Sequence, residues 1–156
     1  SRDRHSLALL WLSILLSVAL AILVAGNFAA AALPHRRALY FVGLILFVAG
    51  IVLRWWAIII LGKFFTVDVA IAKEHRVIES GPYRFVRHPS YTGALIAFVG
   101  FGFCLANWLS ILCLIIPIAA AFLWRIHVEE RALLDALGDD YRSYMQRTRR
   151  LLPFVY

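Results

Sequence analysis

The stretch YTGALIAFVGFGFCLANWLSILCLIIPIAAAFL, residues 91–123, decides the fold, because none of its 33 positions carries a charged side chain. A helix needs about 20 apolar residues to cross the hydrocarbon core of a bilayer. The stretch therefore has room for two short helices joined by a tight turn. Asn107 and Ser110 suit that turn, since their side chains hydrogen-bond readily to nearby backbone groups. We predict a helical hairpin whose arms cover residues 90–105 and 109–126.

Two more apolar runs precede this hairpin. Residues 7–25 contain no charge, and residues 39–61 contain only Arg54. The first run is longer than the usual 7–15-residue core of a signal peptide, so we interpret it as a membrane span. The chain is 63% hydrophobic, against roughly 45–50% in soluble domains. We predict an all-α membrane protein that forms a single domain over residues 1–156, with two further spans at about 6–26 and 39–61.

The basic residues indicate how this protein is oriented in the membrane. Four spans place both termini on one face, which then receives thirteen Lys and Arg side chains, whereas the other face receives Arg36 and Arg37. Positive charge accumulates on the cytoplasmic side of membrane proteins, so both termini and the 62–89 connection should be cytoplasmic. The sequence contains no recognisable nucleic-acid-binding module, and we expect no nucleic-acid partner.

The cytoplasmic parts of the chain also have predictable structure. The segment FFTVDVAIA, residues 64–72, alternates in part and is typical of a short strand or an interfacial segment. Residues 127–137 continue the helix-forming pattern of the fourth span, and residues 139–148 form another short helix.

The polar segment GPYRFVRHPSYTG, residues 81–93, stands out between these apolar runs. Pro89 suits the first turn of a helix, where its missing N–H costs nothing. The free backbone N–H groups and the positive dipole of that helix start could receive a carboxylate or a phosphate. The alternative is a belt of Arg, His and Tyr that anchors the protein at the membrane surface.

Charged residues in or beside the spans are further candidates. Arg125 and Glu129 are four residues apart and share one helix face, either as a simple ion pair or as a site in which Arg125 grips an anionic group. Arg54 is expected to form a structural pair with Asp68 or with a carboxylate of the last segment, or to reach the cytoplasmic surface.

The remaining patterns exclude several kinds of site. Cys104 and Cys113 are not arranged as a CxxC motif, and we interpret them as small buried apolar residues that bind no metal. The sequence has no GxGxxG after a strand and no Walker A loop, which excludes a Rossmann-type nucleotide site.

Four segments together resemble the isoprenylcysteine carboxyl methyltransferase family of integral-membrane enzymes. They are LRWWAIIILGKFF (53–65), HRVIESGPYRFVRHPSYTG (75–93), EERALLDALGDDYRSYMQR (129–147) and LLPF (151–154). The Arg-His-Pro-x-Tyr-x-Gly element, followed about 40 residues later by Glu-Glu, is shared with a wider superfamily that includes phospholipid N-methyltransferases and sterol reductases.

The resemblance implies that the cytoplasmic connection and the C-terminal helices close a pocket for S-adenosylmethionine. It also implies that Arg125 orients a substrate carboxylate, which needs no general base. The residues that the resemblance assigns to the cofactor are His75, Arg76, Val77, Ile78, Tyr83, His88, Pro89, Ser90, Tyr91 and Glu129. The substrate would be a lipophilic or lipidated molecule from the bilayer, most simply an isoprenylcysteine-like acid. So compact a chain is typical of a prokaryotic inner-membrane protein.

Three alternatives remain open. A methyltransferase for an amine of a phospholipid, or for a nitrogen or sulfur of another small molecule, would use a base such as Glu129, Glu130 or His88. An NADPH-dependent membrane reductase would share the Arg-His-Pro-x-Tyr element. A membrane scaffold would use the polar segment only to anchor its helices.

Overall fold

The computed structural model describes residues 2–62 and 77–152, with side chains from residue 6 onward. Within these ranges the chain forms five α-helices and two short 3-10 turns, and no strand. The α-helices are α1 (Arg2–Asn27), α2 (Arg36–Leu61), α3 (Pro89–Leu105), α4 (Trp108–Leu137) and α5 (Asp139–Arg147). The 3-10 turns are Ala29–Ala31 and Gly81–Arg84.

Three helices among the described residues are long and apolar enough to cross a membrane: Ser6–Asn27 of α1, all of α2 and all of α4. The fourth apolar helix, α3, has only 17 residues. The predicted all-α membrane fold is confirmed, although α3 is shorter than the other spans. The helix predicted at 109–126 and its continuation at 127–137 form one 30-residue helix, about 45 Å long. The short helix expected at 139–148 is α5.

Helices α2 and α3 pack with their backbones in contact. A Cβ atom added to Gly50 would collide with backbone atoms of Gly93 and Ala97, and one added to Gly100 would collide with backbone atoms of α2. Gly43 faces the backbone of α3 in the same way. Small residues at such a seam let two membrane helices approach closely, where packing and not the hydrophobic effect holds them together.

The other long contact joins α1 to α4 through ordinary apolar side chains. Leu10 and Ala21 of α1 lie in one buried cluster with Leu114, Ile118 and Phe122 of α4. Many large apolar side chains instead face outward from the helices, as expected for surfaces covered by lipid. Examples at more than half exposure are Leu15, Ile45, Ile59 and Ile116.

The two ends of the bundle differ in chemistry. At one end, backbone and side-chain bonds join the α1–α2 connection to the hairpin turn: Leu33 N donates to the Ala106 carbonyl at 2.8 Å, and Asn107 Nδ2 donates to the Phe28 carbonyl at 3.0 Å. The opposite end holds the start of α1, the start of α3 and the polar part of α4. This arrangement places the turn that includes His88 close to the two glutamates of α4.

Some expectations fall on residues outside the described ranges. These are the strand or interfacial segment at 64–72, and the side chains of Asp68, His75 and Arg76.

Replacement of Asn107 by Ala is expected to destabilise the fold by about 1–3 kcal/mol. The fully buried Asn107 side chain accepts from Ser110 N at 3.0 Å, which caps α4, and its donor bond holds the Phe28 carbonyl. Asn107→Ser keeps a cap oxygen but is too short to reach Phe28, so its melting temperature in detergent should fall between those of the wild type and the Ala variant.

Asn27→Ala is the matched control for that prediction. Asn27 also donates through Nδ2, but to Leu23 of its own helix and at the protein surface. Its loss should leave the melting temperature nearly unchanged, and equal losses at Asn27 and Asn107 would contradict the role assigned to the buried bonds.

Candidate active site

The His-Pro turn is fixed by the C-terminal strap, which we define as residues 148–152. His88 precedes the first helical residue of α3, Pro89, as the Pro-at-N1 pattern predicts. The backbone N–H of Arg87 donates to the Arg149 carbonyl at 2.7 Å, and that of His88 donates to the Arg150 carbonyl at 3.1 Å. The strap therefore runs parallel to the turn and is joined to it by two backbone hydrogen bonds.

A buried hydroxyl adds a third tie between the strap and α3. Thr92 Oγ1 donates to the Leu151 carbonyl at 2.7 Å, one turn into the helix. Of these bonds, the one from the His88 N–H pairs a backbone donor that has no partner within the helix, and all three pair carbonyl groups of the strap.

Glu129 lies at the centre of the polar cluster. Its Oε1 accepts from the Tyr91 hydroxyl at 2.5 Å and from Arg125 Nε at 3.1 Å, and its Oε2 lies 3.7 Å from His88 Nδ1. The Glu129 side chain is 21% exposed. Four of the residues predicted from sequence to form the site therefore converge, and the carboxylate among them remains accessible.

Arg125 is the most deeply placed member of this cluster. The residue is 1% exposed, and besides its bond to Glu129 it donates through a terminal N–H to the Ser6 hydroxyl of α1 at 2.5 Å. The predicted pairing of Arg125 with Glu129 is present. Ser6 adds a contact from a helix more than a hundred residues away in sequence.

The neighbouring carboxylate, Glu130, points the other way and is 3% exposed. Its Oε1 accepts from Arg87 Nε at 2.7 Å and lies 3.3 Å from His88 Nε2, while Oε2 accepts from Arg150 Nε at 3.0 Å. Arg87 also donates to the carbonyls of Met145 and Thr148. Through these bonds Glu130 links α4 to both the His-Pro turn and the strap.

Two predicted site residues face α2. Tyr83 is buried, its hydroxyl donates to the Ala57 carbonyl at 3.3 Å, and its carbonyl accepts from Tyr144 at 2.6 Å. Burial, followed by the negative charge of Glu129, raises the pKa of the Tyr83 phenol, which keeps this donor protonated. Ser90 contacts α2 through its carbonyl and hydroxyl oxygens, which accept from Arg54 at 3.3 and 3.0 Å.

The described contacts of Arg54 differ from one of the three alternatives expected for that residue, the pair with a carboxylate of the last segment, whereas Asp68 lies outside the described residues. Its described partner is the start of α3 and not a carboxylate of the last segment, because Arg54 faces α3 across the close α2–α3 seam. Of the other predicted residues, Pro89 is fully buried at the helix start, and Val77 and Ile78 are half-buried in the chain before the Gly81–Arg84 turn.

Sequence reasoning missed Ser6, Arg87, Thr92 and Arg150 as parts of this cluster. Each acts through a contact across at least 20 positions, and local spacing carries no signal for such contacts. The adjacency of Arg87 to His88 was the one available hint.

The described residues contain no group of three or more side chains suited to hold a metal ion, and Cys104 and Cys113 are free, half-buried thiols. The cluster instead offers an accessible carboxylate, an imidazole, a phenol and a buried guanidinium. Such a set can bind a cation at Glu129 and an anion at Arg125, side by side.

Comparison with known proteins points to one family. The model of the Isoprenylcysteine carboxyl methyltransferase (ICMT) family matches residues 43–135. A probable protein-S-isoprenylcysteine O-methyltransferase of Oryza sativa subsp. indica is 37% identical over 117 residues, which cover 74% of this chain and 61% of the rice protein. Methanethiol S-methyltransferase 1 of Bradyrhizobium diazoefficiens is 38% identical over 73 residues, covering 46% of this chain and 24% of that protein.

A solved structure shares the fold. The eukaryotic intramembrane Ras methyltransferase ICMT (isoprenylcysteine carboxyl methyltransferase) superposes with a TM-score of 0.71 at 29% identity, over 92% of this chain and 52% of that one. The chain thus spans about three fifths of the rice protein's length and about half of the solved structure's.

Proposed function

The chain belongs to the isoprenylcysteine carboxyl methyltransferase family, and we propose that it transfers a methyl group from S-adenosylmethionine to the carboxylate of an isoprenylcysteine-like, lipophilic substrate. The observation that carries this proposal is the convergence of His88, Tyr91 and Arg125 on the accessible carboxylate of Glu129.

The chemistry of this cluster fits the cofactor. S-adenosylmethionine, when bound, supplies a methyl group made electrophilic by the positive charge on its sulfur. Glu129 offers a partly exposed carboxylate to the cationic groups of that molecule, and Tyr91 and His88 offer an aromatic wall beside it. The further residues proposed to complete the wall are His75, Arg76, Val77, Ile78, Tyr83, Pro89 and Ser90.

Arg125 is proposed to hold the acceptor carboxylate. A planar guanidinium matches a planar carboxylate and fixes its orientation with paired N–H bonds. Because Arg125 is 1% exposed, the acceptor has to displace some of its present contacts, among them the bond to the Ser6 hydroxyl. An α-carboxyl group has a pKa near 3.3–3.7, so the acceptor is already ionised at neutral pH. The protein therefore needs to supply alignment, which can contribute roughly 7–11 kcal/mol, and no base.

We further propose that the site opens to the cytoplasm and that the lipophilic substrate enters from the bilayer. The basic residues are concentrated on the side of the bundle that carries the site, which favours the cytoplasmic face. The outward faces of α1, α2 and α4 are apolar, so a prenyl chain can reach this end of the bundle from the lipid phase.

The test is methyl transfer by the purified protein in detergent or vesicles. With radiolabelled S-adenosylmethionine and N-acetyl-S-farnesylcysteine, we expect a base-labile, organic-soluble labelled ester. The corresponding carboxamide, which has no carboxylate, should remain unlabelled. Binding of NADPH without binding of S-adenosylmethionine would instead support the reductase alternative. Binding of neither cofactor, with no methyl transfer, would support a scaffold.

The similarity to a methanethiol S-methyltransferase favours a small thiol as a second candidate acceptor. An alkanethiol is a weaker acid than the cysteine side chain, whose pKa is near 8.5, so it must lose a proton before or during transfer. His88 is the group beside Glu129 that could take that proton. The same labelling assay with methanethiol separates the candidates, since a thioether product forms only if the site accepts sulfur.

A further inference from the structure

We infer that Tyr144 of α5 is a positioning residue for the proposed cofactor wall: its hydroxyl holds the Gly81–Arg84 turn in place, and the turn holds Val77 and Ile78, which lead into it. Tyr144 is 3% exposed, and its hydroxyl donates to the Tyr83 carbonyl at 2.6 Å. The effect on the cofactor rests on the proposed function, whereas the bond itself does not.

The Gly81–Arg84 turn is held from two sides. On one side it meets α2: the Tyr83 hydroxyl donates to the Ala57 carbonyl at 3.3 Å, and a Cβ added to Gly81 would collide with the side chain of Ile60. On the other side the Tyr83 carbonyl accepts from Tyr144. Helix α5 lies outside the candidate membrane spans and thus acts as a brace that presses the turn against the end of α2.

A second polar contact joins α5 to this segment, but it is weaker. Arg147 donates to Glu79 at 3.0 Å, and their side chains are 59% and 45% exposed. Exposed ion pairs contribute little, because solvent screens the charges and two long side chains lose freedom. Within the described ranges no other hydrogen bond or ion pair joins α5 to residues 77–84, so the Tyr144 bond is the main polar tie.

Burial makes the loss of this bond costly. Tyr83 is 7% exposed, so its carbonyl would lose a donor in a place that water reaches poorly. The turn could then pair that carbonyl only by moving away from its present position. Burial also raises the pKa of the Tyr144 phenol, which keeps the hydroxyl protonated and able to donate.

A displaced turn would affect the cofactor more than the acceptor. Val77 and Ile78 belong to the residues proposed to contact S-adenosylmethionine, whereas the acceptor is proposed to be held by Arg125 of α4. If the turn samples other positions, only a fraction of the molecules has a complete wall. The apparent cofactor affinity then falls in proportion to that fraction.

Tyr144→Phe tests this role, because it removes the hydroxyl and keeps the ring. The affinity for S-adenosylhomocysteine, the demethylated cofactor, should fall about three- to tenfold by calorimetry, the effect of one buried hydrogen bond. The KM for S-adenosylmethionine should rise by a similar factor. The kcat at saturating cofactor and the KM for N-acetyl-S-farnesylcysteine should stay unchanged.

Tyr141→Phe is the matched control on the same helix. Tyr141 is 4% exposed, its ring centroid lies 5.8 Å from that of Tyr144, and its hydroxyl forms no hydrogen bond with the residues that the structure describes. This variant should bind and turn over like the wild type. Equal losses in both variants, or a lower kcat with an unchanged KM for S-adenosylmethionine, would indicate general destabilisation and would overturn the positioning role.

Hydrogen exchange measures the turn without reference to the cofactor. The N–H groups of Phe85 and Val86 donate to the Pro82 carbonyl at 3.1 and 3.2 Å, and these bonds protect them while the turn is in place. Mass spectrometry in detergent should show faster deuterium uptake over residues 79–88 in Tyr144→Phe and not in Tyr141→Phe. Unchanged uptake in Tyr144→Phe would show that Tyr144 does not hold the turn.

The same measurement separates this role from the proposed function. If the unaltered protein does not bind S-adenosylhomocysteine, the proposed function is overturned, whereas deuterium uptake in the variants still decides whether Tyr144 holds the turn. If Tyr144→Phe cannot be purified, the unaltered protein provides the test. S-adenosylhomocysteine should then slow exchange in α5 as well as in residues 77–86, and slower exchange in residues 77–86 alone would overturn the coupling through Tyr144.

Discussion

Gly50→Ala is expected to lower the stability of the protein by at least about 1–3 kcal/mol, the cost of forcing extra atoms into a close-packed interface. The added methyl group would meet the backbone of Gly93 and Ala97 on α3. Backbone atoms cannot rotate away as a side chain can, so α2 and α3 would have to separate. A melting curve followed by size-exclusion chromatography in detergent measures the loss.

Gly26→Ala is the matched control. Gly26 lies near the end of α1, and an added Cβ there meets no atom within 4 Å. Alanine favours a helix over glycine by up to about 1 kcal/mol, so this variant should be as stable as the wild type or slightly more stable. A Gly50→Ala protein that melts with the wild type would show that the α2–α3 seam is looser than described.

The spans could be predicted from sequence because their signal is local. An uncharged run of 33 residues must lie in an apolar medium, and Asn107 supplies a turn in the middle of it. The pairing of α2 with α3 could not be predicted in the same way. Gly43, Gly50, Gly93 and Gly100 are ordinary residues in separate apolar runs, and only the folded chain brings their backbones together.

The candidate site also contains some contacts that sequence spacing predicts and others that it does not. The four-residue spacing of Arg125 and Glu129 on one helix face was sufficient to predict their ion pair. Spacing could not decide which of Glu129 and Glu130 faces the accessible side, because a helix turns only about 100° between neighbours and the answer depends on what packs around it. Arg87 bonds to both Glu130 and the strap, which holds Glu130 on the buried side and leaves Glu129 on the accessible side.

Arg54 illustrates why the partner of a half-buried charge within an apolar run is difficult to assign from sequence. Its position inside an apolar run correctly indicated a need for partners, since an isolated charge in that environment is costly. Oxygen atoms of Ser90 at the start of α3 provide them. No sequence pattern distinguishes that hydroxyl and carbonyl from a distant carboxylate.

Arg125→Lys is expected to reduce kcat/KM for the carboxylate substrate about 10–100-fold, corresponding to the loss of one charge-assisted hydrogen bond worth about 1.5–3 kcal/mol. Lysine keeps the positive charge but has no planar fork with which to hold the acceptor, and it loses the Nε contact to Glu129. The affinity for S-adenosylhomocysteine, measured by calorimetry, should change much less than kcat/KM, because Arg125 is assigned to the acceptor.

Glu129→Gln should show the opposite pattern, with cofactor affinity reduced about 10–100-fold because the amide cannot neutralise a cation. His127→Ala provides the control on the same helix, since His127 is exposed and no member of the cluster contacts it among the bonds described above. Its affinity and turnover should match the wild type. If Arg125→Lys and Glu129→Gln lose cofactor affinity equally, the two residues do not divide the acceptor and the cofactor between them. The guanidinium would then belong to the cofactor site, and the acceptor would have to be held by a group elsewhere in the chain.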